Sequence, residues 1–152
     1  MSPGKVSRRV LLDRLSWVDR MISGIRSLPL ESMSAFASDS RNVWTAEPCL
    51  RRALEALFDI GRHVLAKAFG KGVSEYREIA EKLAESGVLS GPQSELLRIL
   101  AGYRNRLVHF YREISLDELY QICTIQLGDV VAMRDAFRAW LESHPQLIDD
   151  SL

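Results

Sequence analysis

Apolar residues recur every three or four positions through most of the chain, which is the spacing of one face of an α-helix. Two long stretches with this pattern cover 6–28 and about 45–69. Pro29 ends the first stretch and Gly70 ends the second, while Pro48 is expected near the first turn of the second helix. No stretch alternates with the two-residue period of a β-strand. The residues between 31 and 42 are interpreted as a connecting segment.

Helix-capping residues mark the remaining elements. Ser74 is a candidate N-cap, and Ser115 followed by Glu118 has the form of a capping box. Further helices are therefore predicted at 75–86, from Gly91-Pro92 onward, and from Ser115 to a point before Pro145. The pattern predicts a single all-α domain over 1–152, an antiparallel up-and-down bundle of four to five helices, with a frayed tail at about 146–152.

Composition narrows the classes of function. The chain has 20 Lys and Arg against 20 Asp and Glu, so its formal net charge is zero. Overall charge therefore predicts no strong attraction to nucleic acid, and any RNA site needs a local cluster of cations. Cys49 and Cys123 have no metal-ligand spacing and are expected to be free thiols. The sequence shows neither an apolar run of about 20 residues nor the pattern of a signal peptide, so we expect a cytoplasmic protein.

The most informative motif is the R-x4-H-x-Y string that begins at Arg104 and includes Asn105, His109 and Tyr111. A guanidinium donates two parallel hydrogen bonds to a phosphate, and an imidazole exchanges protons near neutral pH. This combination suits phosphodiester chemistry without a metal. On one ideal helix, Arg104 and His109 would diverge by roughly 140°. Two remedies exist: the helix loosens just after Val108, or a second copy of the chain supplies the missing groups across a two-fold axis. We expect both together, because the capping box at Ser115 requires the helix to end within a few residues of His109.

The motif, at the end of the penultimate long helix, resembles the signature of the HEPN superfamily and most closely its HepT-like branch. Other similar features are Phe36 and Asp39, Leu54-Glu55, Asp59-Ile60-Gly61, Ser74-Glu75-Tyr76 and Leu119-Tyr120. HepT-like proteins are toxins of bacterial toxin–antitoxin pairs of type VII, and they cleave RNA as homodimers without a metal.

The resemblance assigns a role to each motif residue. Arg104 and His109 would be catalytic in a cleft between two protomers, and Asn105 would orient one of them. The antitoxin of such pairs, a nucleotidyltransferase of the MntA type, attaches AMP to the motif tyrosine, here Tyr111. A bulky anion beside Arg104 would occlude a phosphate site and neutralise its cation.

Other interpretations of the sequence remain open. A non-catalytic HEPN-like module that binds a nucleotide or partners a nucleotidyltransferase would carry the same helices. A metal-dependent nuclease is disfavoured because no carboxylate cluster is evident. His63 is interpreted as a polar or half-buried helix residue rather than a second base. Trp17, Trp44 and Trp140 are interpreted as anchors of the core or of a dimer interface.

Overall fold

A computed structural model describes residues 4–108 and 114–151, and most of these are helical. His109 and Tyr111 lie outside the described residues, as does the predicted loosening after Val108. The helices are α1 (Arg8–Arg26), α2 (Met33–Ala37), α3 (Ser40–Phe69), α4 (Tyr76–Glu85), α5 (Gly91–Val108), α6 (Leu116–Gln121) and α7 (Leu127–Ser143). A π-helical turn, Ile122–Gln126, joins α6 to α7 without a break. The all-α prediction is confirmed.

Helices α1 and α3 form the most extensive helix pair, and the other long helices pack around them. Each buries one apolar face because its apolar residues recur with the period of a helix. The sequence pattern gives six apolar positions on α1. Five of them, Leu11, Leu15, Val18, Ile22 and Ile25, are at most 2% exposed, and the sixth, Val10, is half-buried. The core therefore follows directly from the sequence pattern.

Helix α3 begins five residues earlier than the sequence pattern predicts. Asp39 is its N-cap, and the Asp39 side chain accepts a hydrogen bond from the Arg41 backbone N–H at 2.9 Å. The Asn42 side chain, which is buried, donates to the Phe36 carbonyl at 3.0 Å and joins α2 to α3. The predicted connecting segment is thus largely helical. Pro48 lies inside α3 rather than in its first turn, so the helix omits one backbone hydrogen bond there.

Helix α4 crosses α3 at Gly61, where a side chain would have little space. A Cβ atom at this position would lie 2.9 Å from Ile79 and 3.0 Å from Leu83, both on α4. The glycine therefore allows the two helices to approach closely. The N-cap of α4 is Glu75, one residue after the predicted Ser74, and its side chain makes no capping hydrogen bond.

The capping box at the start of α6 is only half formed. The Ser115 hydroxyl accepts from the Glu118 backbone N–H at 3.2 Å, as predicted. The Glu118 carboxylate, however, accepts two hydrogen bonds from Arg106 on α5, of which the Nη2 bond measures 2.6 Å. A charged donor outcompetes the backbone N–H that a complete capping box would use.

The expectation of a frayed tail at 146–152 is wrong for most of that segment. A short 3₁₀ turn (Pro145–Leu147) leads into a two-residue strand, β2 (Ile148–Asp149). It pairs in parallel with β1 (Val6–Ser7), with Val6 opposite Ile148. Ile148 is 5% exposed and Val6 is fully buried, so apolar burial fixes the tail. Strands of two residues are too short to show, in the sequence, the alternation of apolar and polar residues by which a strand is predicted.

Both cysteines are free thiols, as the sequence analysis expects. Cys123 is buried, and burial raises the pKa of its thiol to about 12. Within residues 4–108 and 114–151, no helix is both long enough and apolar enough to cross a bilayer.

His63 on α3 holds the N-terminal strand in place. Its Nε2 atom accepts a hydrogen bond from the Ser7 backbone N–H at 3.2 Å. Only the neutral imidazole has a nitrogen that accepts. Burial lowers the pKa of His63, and the nearby cations Lys67 and Arg14 lower it further. His63 therefore has a structural role, in agreement with its interpretation as a half-buried helix residue.

This arrangement predicts an acid-sensitive contribution to stability. Because the pKa of His63 is lower in the folded protein than in the unfolded chain, the unfolded chain binds more protons below about pH 6.5. The contribution is complete above that pH and decreases as the pH falls. In urea titrations, the parent should lose more unfolding free energy between pH 7.5 and 5.5 than His63→Gln, which cannot titrate. Parallel pH profiles for the two proteins would contradict this role.

Candidate functional site

The candidate site is centred on Arg104, which links α5 to α3. Arg104 Nε donates to Glu55 Oε1 at 2.6 Å, and the two residues are 49 positions apart in the chain. The Arg104 side chain is 20% exposed and that of Glu55 is 33% exposed. The pair is therefore partly shielded from water. In such an environment opposite charges attract more strongly than on an open surface.

Tyr76, at the start of α4, completes a three-helix cluster with this pair. The Tyr76 hydroxyl donates to Glu55 Oε2 at 2.9 Å. The Arg104 guanidinium carbon lies 4.0 Å from the centroid of the Tyr76 ring, which is a cation–π distance. Burial raises the pKa of Tyr76, and its hydrogen bond to Glu55 raises it further. The phenol thus stays protonated near neutral pH and acts as a hydrogen-bond donor.

The Tyr76 ring is itself held by packing and by charge. Phe58 of α3 meets it edge to face, with 4.9 Å between ring centroids. A second guanidinium, that of Arg62, lies 5.4 Å from the same centroid and donates to Asp59 at 3.0 Å. These contacts come from one face of α3, which carries Glu55, Phe58, Asp59 and Arg62 at helical spacing, and this face supports Tyr76 together with Arg104 of α5.

Asn105 contacts Arg104 directly. Its Oδ1 atom accepts a hydrogen bond from Arg104 Nη1 at 3.2 Å. Two of the three guanidinium nitrogens are therefore directed by protein oxygens, Nε by Glu55 and Nη1 by Asn105. Among the described residues, no acceptor lies within hydrogen-bond distance of Nη2. A guanidinium held in this way has a fixed orientation and a donor nitrogen available for a ligand.

The site residues predicted from sequence divide into two groups. Arg104 and Asn105 are described, and they contact each other. His109 and Tyr111 lie outside the described residues, so their relation to Arg104 stays a prediction. The two ends of the segment that contains them are joined by the Arg106–Glu118 ion pair. This interaction lowers the pKa of Glu118, so its carboxylate stays charged near neutral pH.

The sequence alone indicates no role for Glu55 or Tyr76, although both belong to the segments that carry the family resemblance. A glutamate on a long helix ordinarily faces solvent, and a tyrosine beside a helix start ordinarily packs against the core. Nothing in their spacing indicates contact with a residue tens of positions away. Only the folded chain brings the three side chains together.

The three tryptophans occupy different environments. Trp140 is 5% exposed and belongs to the core, as interpreted from the sequence, whereas Trp44 is 68% exposed. Trp17 is half-buried and lines a surface groove between α1 and α3. Across the described ranges, no three His, Cys, Asp or Glu side chains are grouped as a metal site would require.

Comparison with known proteins decides the family. The family model for ribonuclease HepT-like proteins matches residues 18–136, which include every described residue of the Arg104 cluster. The chain belongs to the HepT-like family. The resemblance that the R-x4-H-x-Y motif indicated is thereby confirmed.

Curated relatives of this HepT-like chain match over most of their length. A protein from Archaeoglobus fulgidus is 30% identical over 125 residues, which cover 76% of the chain and 89% of the relative. The mRNA nuclease HepT of Shewanella oneidensis is 25% identical over 130 residues, which cover 86% of the chain and 97% of the relative.

A solved structure shares the same fold. It is the tri-AMPylated HEPN toxin of Shewanella oneidensis in complex with its MNT antitoxin. The TM-score is 0.76 at 24% sequence identity, with 86% of this chain and 97% of that chain covered. At this level of identity the match establishes the all-α HEPN fold alone.

The Arg104–Glu55 pair should contribute measurably to stability. In a double-mutant cycle of Arg104→Gln and Glu55→Gln, we expect a coupling free energy of about 1 kcal/mol. The reason is that the pair is partly buried and that both side chains contact Tyr76. Urea unfolding at one fixed protein concentration measures it. The pair Arg98 and Glu95 on α5 is the matched control, since it is more exposed and spaced i,i+3. A coupling no larger than that of the control would contradict the proposed link between helices.

Proposed function

We propose that this chain is a metal-independent endoribonuclease, the toxin of a type VII-like toxin–antitoxin pair. The observation that carries the proposal is the fixed guanidinium of Arg104, which Glu55 and Tyr76 hold at the junction of three helices. Family membership and relatives that are named nucleases support the same activity. RNA is the proposed substrate, and no cofactor is required.

The proposed reaction is an attack of the RNA 2′-hydroxyl on the adjacent phosphorus. The 2′-oxygen forms a bond to phosphorus, the bond from phosphorus to the 5′-oxygen breaks, and that oxygen leaves with a proton. DNA lacks the 2′-hydroxyl and would not be cleaved. Arg104 would stabilise charge on the phosphoryl oxygens, and Asn105 would keep its guanidinium oriented. His109 would exchange the proton.

We also propose that two copies of the chain form the active enzyme. Arg104 and His109 are five residues apart, and such a spacing places two side chains on different sides of one regular helix. A two-fold dimer brings the same segment of both protomers together, so each guanidinium could act with an imidazole across the interface. A homodimer is therefore the expected functional unit.

Regulation would use Tyr111. We propose that an MntA-like nucleotidyltransferase antitoxin transfers AMP to its hydroxyl. The phosphate of the AMP would carry negative charge seven residues from Arg104. It would compete with RNA for the guanidinium and occlude the site. The AMPylated toxin and MNT antitoxin in the structural neighbour support this proposal at the level of the shared fold.

One observation favours a second candidate function. Glu55 already compensates the charge of Arg104, as a purely structural ion pair between helices would. A non-catalytic module that binds a nucleotide or partners a nucleotidyltransferase would need no more than this. The two candidates differ in whether RNA is cleaved.

Substitution of the motif should separate these candidates. We expect His109→Ala and Arg104→Ala each to reduce cleavage of a single-stranded RNA by at least 100-fold, which is the usual contribution of a general base or of one oxyanion donor. Cleavage is measured with purified protein in the presence of EDTA. Arg98→Ala, on the same helix, should retain parental activity.

Dimer content and thermal unfolding of each variant show whether the fold is intact. A folded His109→Ala protein that cleaves RNA like the parent would refute the proposed mechanism. The non-catalytic interaction module would then be the remaining candidate function.

Co-expression with an MntA-like nucleotidyltransferase should add the mass of AMP to the peptide that contains Tyr111. Intact-protein and peptide mass spectrometry measure the addition, with Tyr111→Phe as the control that cannot be modified. We expect the modified protein to lose ribonuclease activity. Modification confined to another residue, or a modified protein with full activity, would contradict this regulation.

A further inference from the structure

A groove of about 450 Å³ lies between α1 and α3, beside the candidate site. Its size is that of pockets that hold small molecules. It extends over about 10 Å along α3, since it runs from Arg52 to Asp59 at about 1.5 Å per residue. The lining residues are Asp13, Arg14, Trp17, Arg20, Arg52, Glu55, Ala56 and Asp59.

Glu55 connects this groove to Arg104. The same carboxylate that lines the groove accepts the hydrogen bond from Arg104 Nε at 2.6 Å. The middle of the α3 side of the groove is therefore within one side chain of the guanidinium proposed to bind the scissile phosphate. A polymer held at Arg104 could extend directly into it.

The carboxylates of the groove are already paired with cations. Asp59 accepts from Arg62 at 3.0 Å and lies 3.7 Å from Arg14. Arg14 also donates to Asp13 at 2.6 Å. With Glu55 held by Arg104, each of the three acidic residues has at least one cationic partner.

Two cations of the groove remain uncompensated. Among the residues that the structure describes, no carboxylate lies within ion-pair distance of Arg20 or of Arg52. The lining itself contains three arginines and three carboxylates, but Arg62 and Arg104 from outside the lining also pair with these carboxylates, which leaves the charges of Arg20 and Arg52 unpaired. An anionic ligand would supply the missing partners.

Trp17 adds an aromatic surface to the same groove. The Arg20 guanidinium carbon lies 4.8 Å from the Trp17 ring centroid, and the ring is half-buried in the groove. Arginines interleaved with an aromatic ring are the combination by which proteins hold single-stranded nucleic acid, with phosphates on the cations and a base on the ring.

We propose that the α1–α3 groove binds the single-stranded RNA that flanks the scissile phosphate, an inference that rests on the proposed ribonuclease function. Trp17 stacks on an unpaired base, and Arg20 and Arg52 contact backbone phosphates. A paired base is stacked inside its duplex and offers no free face to a side chain in a groove. The substrate class is therefore single-stranded RNA, and the groove is a subsite on one side of the cleavage position.

The test measures binding of a fluorescein-labelled 12-nucleotide single-stranded RNA to full-length protein carrying His109→Ala, so that the RNA stays intact. In this background, Trp17→Ala should weaken binding by about tenfold, the lower range for loss of one base stack. Arg20→Gln and Arg52→Gln should each weaken binding about fivefold. Each should also reduce the slope of log affinity against log salt by about 0.7.

Two matched controls lie outside the groove lining. Arg51→Gln makes the same change of charge beside Arg52, and Trp44→Ala removes an exposed indole from the same helix. Both controls should bind RNA like the background protein. Thermal unfolding and dimer content are checked for every variant, and the two arginine variants remain informative if Trp17→Ala does not fold.

Unchanged affinity in the folded groove variants, or equal losses in the two controls, would overturn the proposal. In cleavage assays without His109→Ala, the groove variants should raise KM for the 12-nucleotide RNA and leave the cleavage of a dinucleotide unchanged. A parent that binds RNA through the groove without cleaving it would refute the ribonuclease function while supporting the subsite. A parent that cleaves RNA with no contribution from the groove would refute the subsite while supporting the ribonuclease function.

Discussion

The ion pair between Arg104 and Glu55 is the interaction on which the candidate site depends. It joins α5 to α3, and Tyr76 brings in α4 by donating to the same carboxylate and placing its ring beside the guanidinium. A free arginine side chain loses much conformational entropy when it binds a ligand. Here the folded protein has already restricted that side chain. The site is thus organised before any phosphate arrives, although Glu55 partly neutralises the positive charge of Arg104.

The same carboxylate limits how the site can work. A glutamate beside a phosphate-binding arginine repels the phosphate, and this repulsion weakens the ground-state complex. The hydrogen bond from Tyr76 withdraws charge from Glu55 and moderates that repulsion. Binding of RNA would then depend on cations elsewhere on the surface. The uncompensated arginines of the α1–α3 groove meet this need, even though the chain as a whole is neutral.

The sequence predicts what is local and periodic. The apolar stripe of α1, the end of α3 at Gly70 and the Ser115 cap each depend on a few neighbouring residues, and the structure confirms all three. The start of α3 and the paired tail were not predicted, because they depend on the Asn42 contact with Phe36 and on Ile148 reaching Val6. Of the site, the motif points to Arg104 and Asn105, which the structure brings into contact, whereas the roles of His109 and Tyr111 stay predictions. The support of Arg104 by Glu55 and Tyr76 could not be predicted, since no short-range pattern records a contact across tens of residues.

The bidentate ion pair of Arg106 and Glu118 has a consequence for any chemistry in the segment between them. A guanidinium keeps its charge throughout the accessible pH range, and Glu118 is held in its ionised form by that same partner. Near neutral pH the two side chains therefore keep opposite charges, and α5 and α6 stay joined through them. Any reaction in the segment between these two residues would leave that link intact.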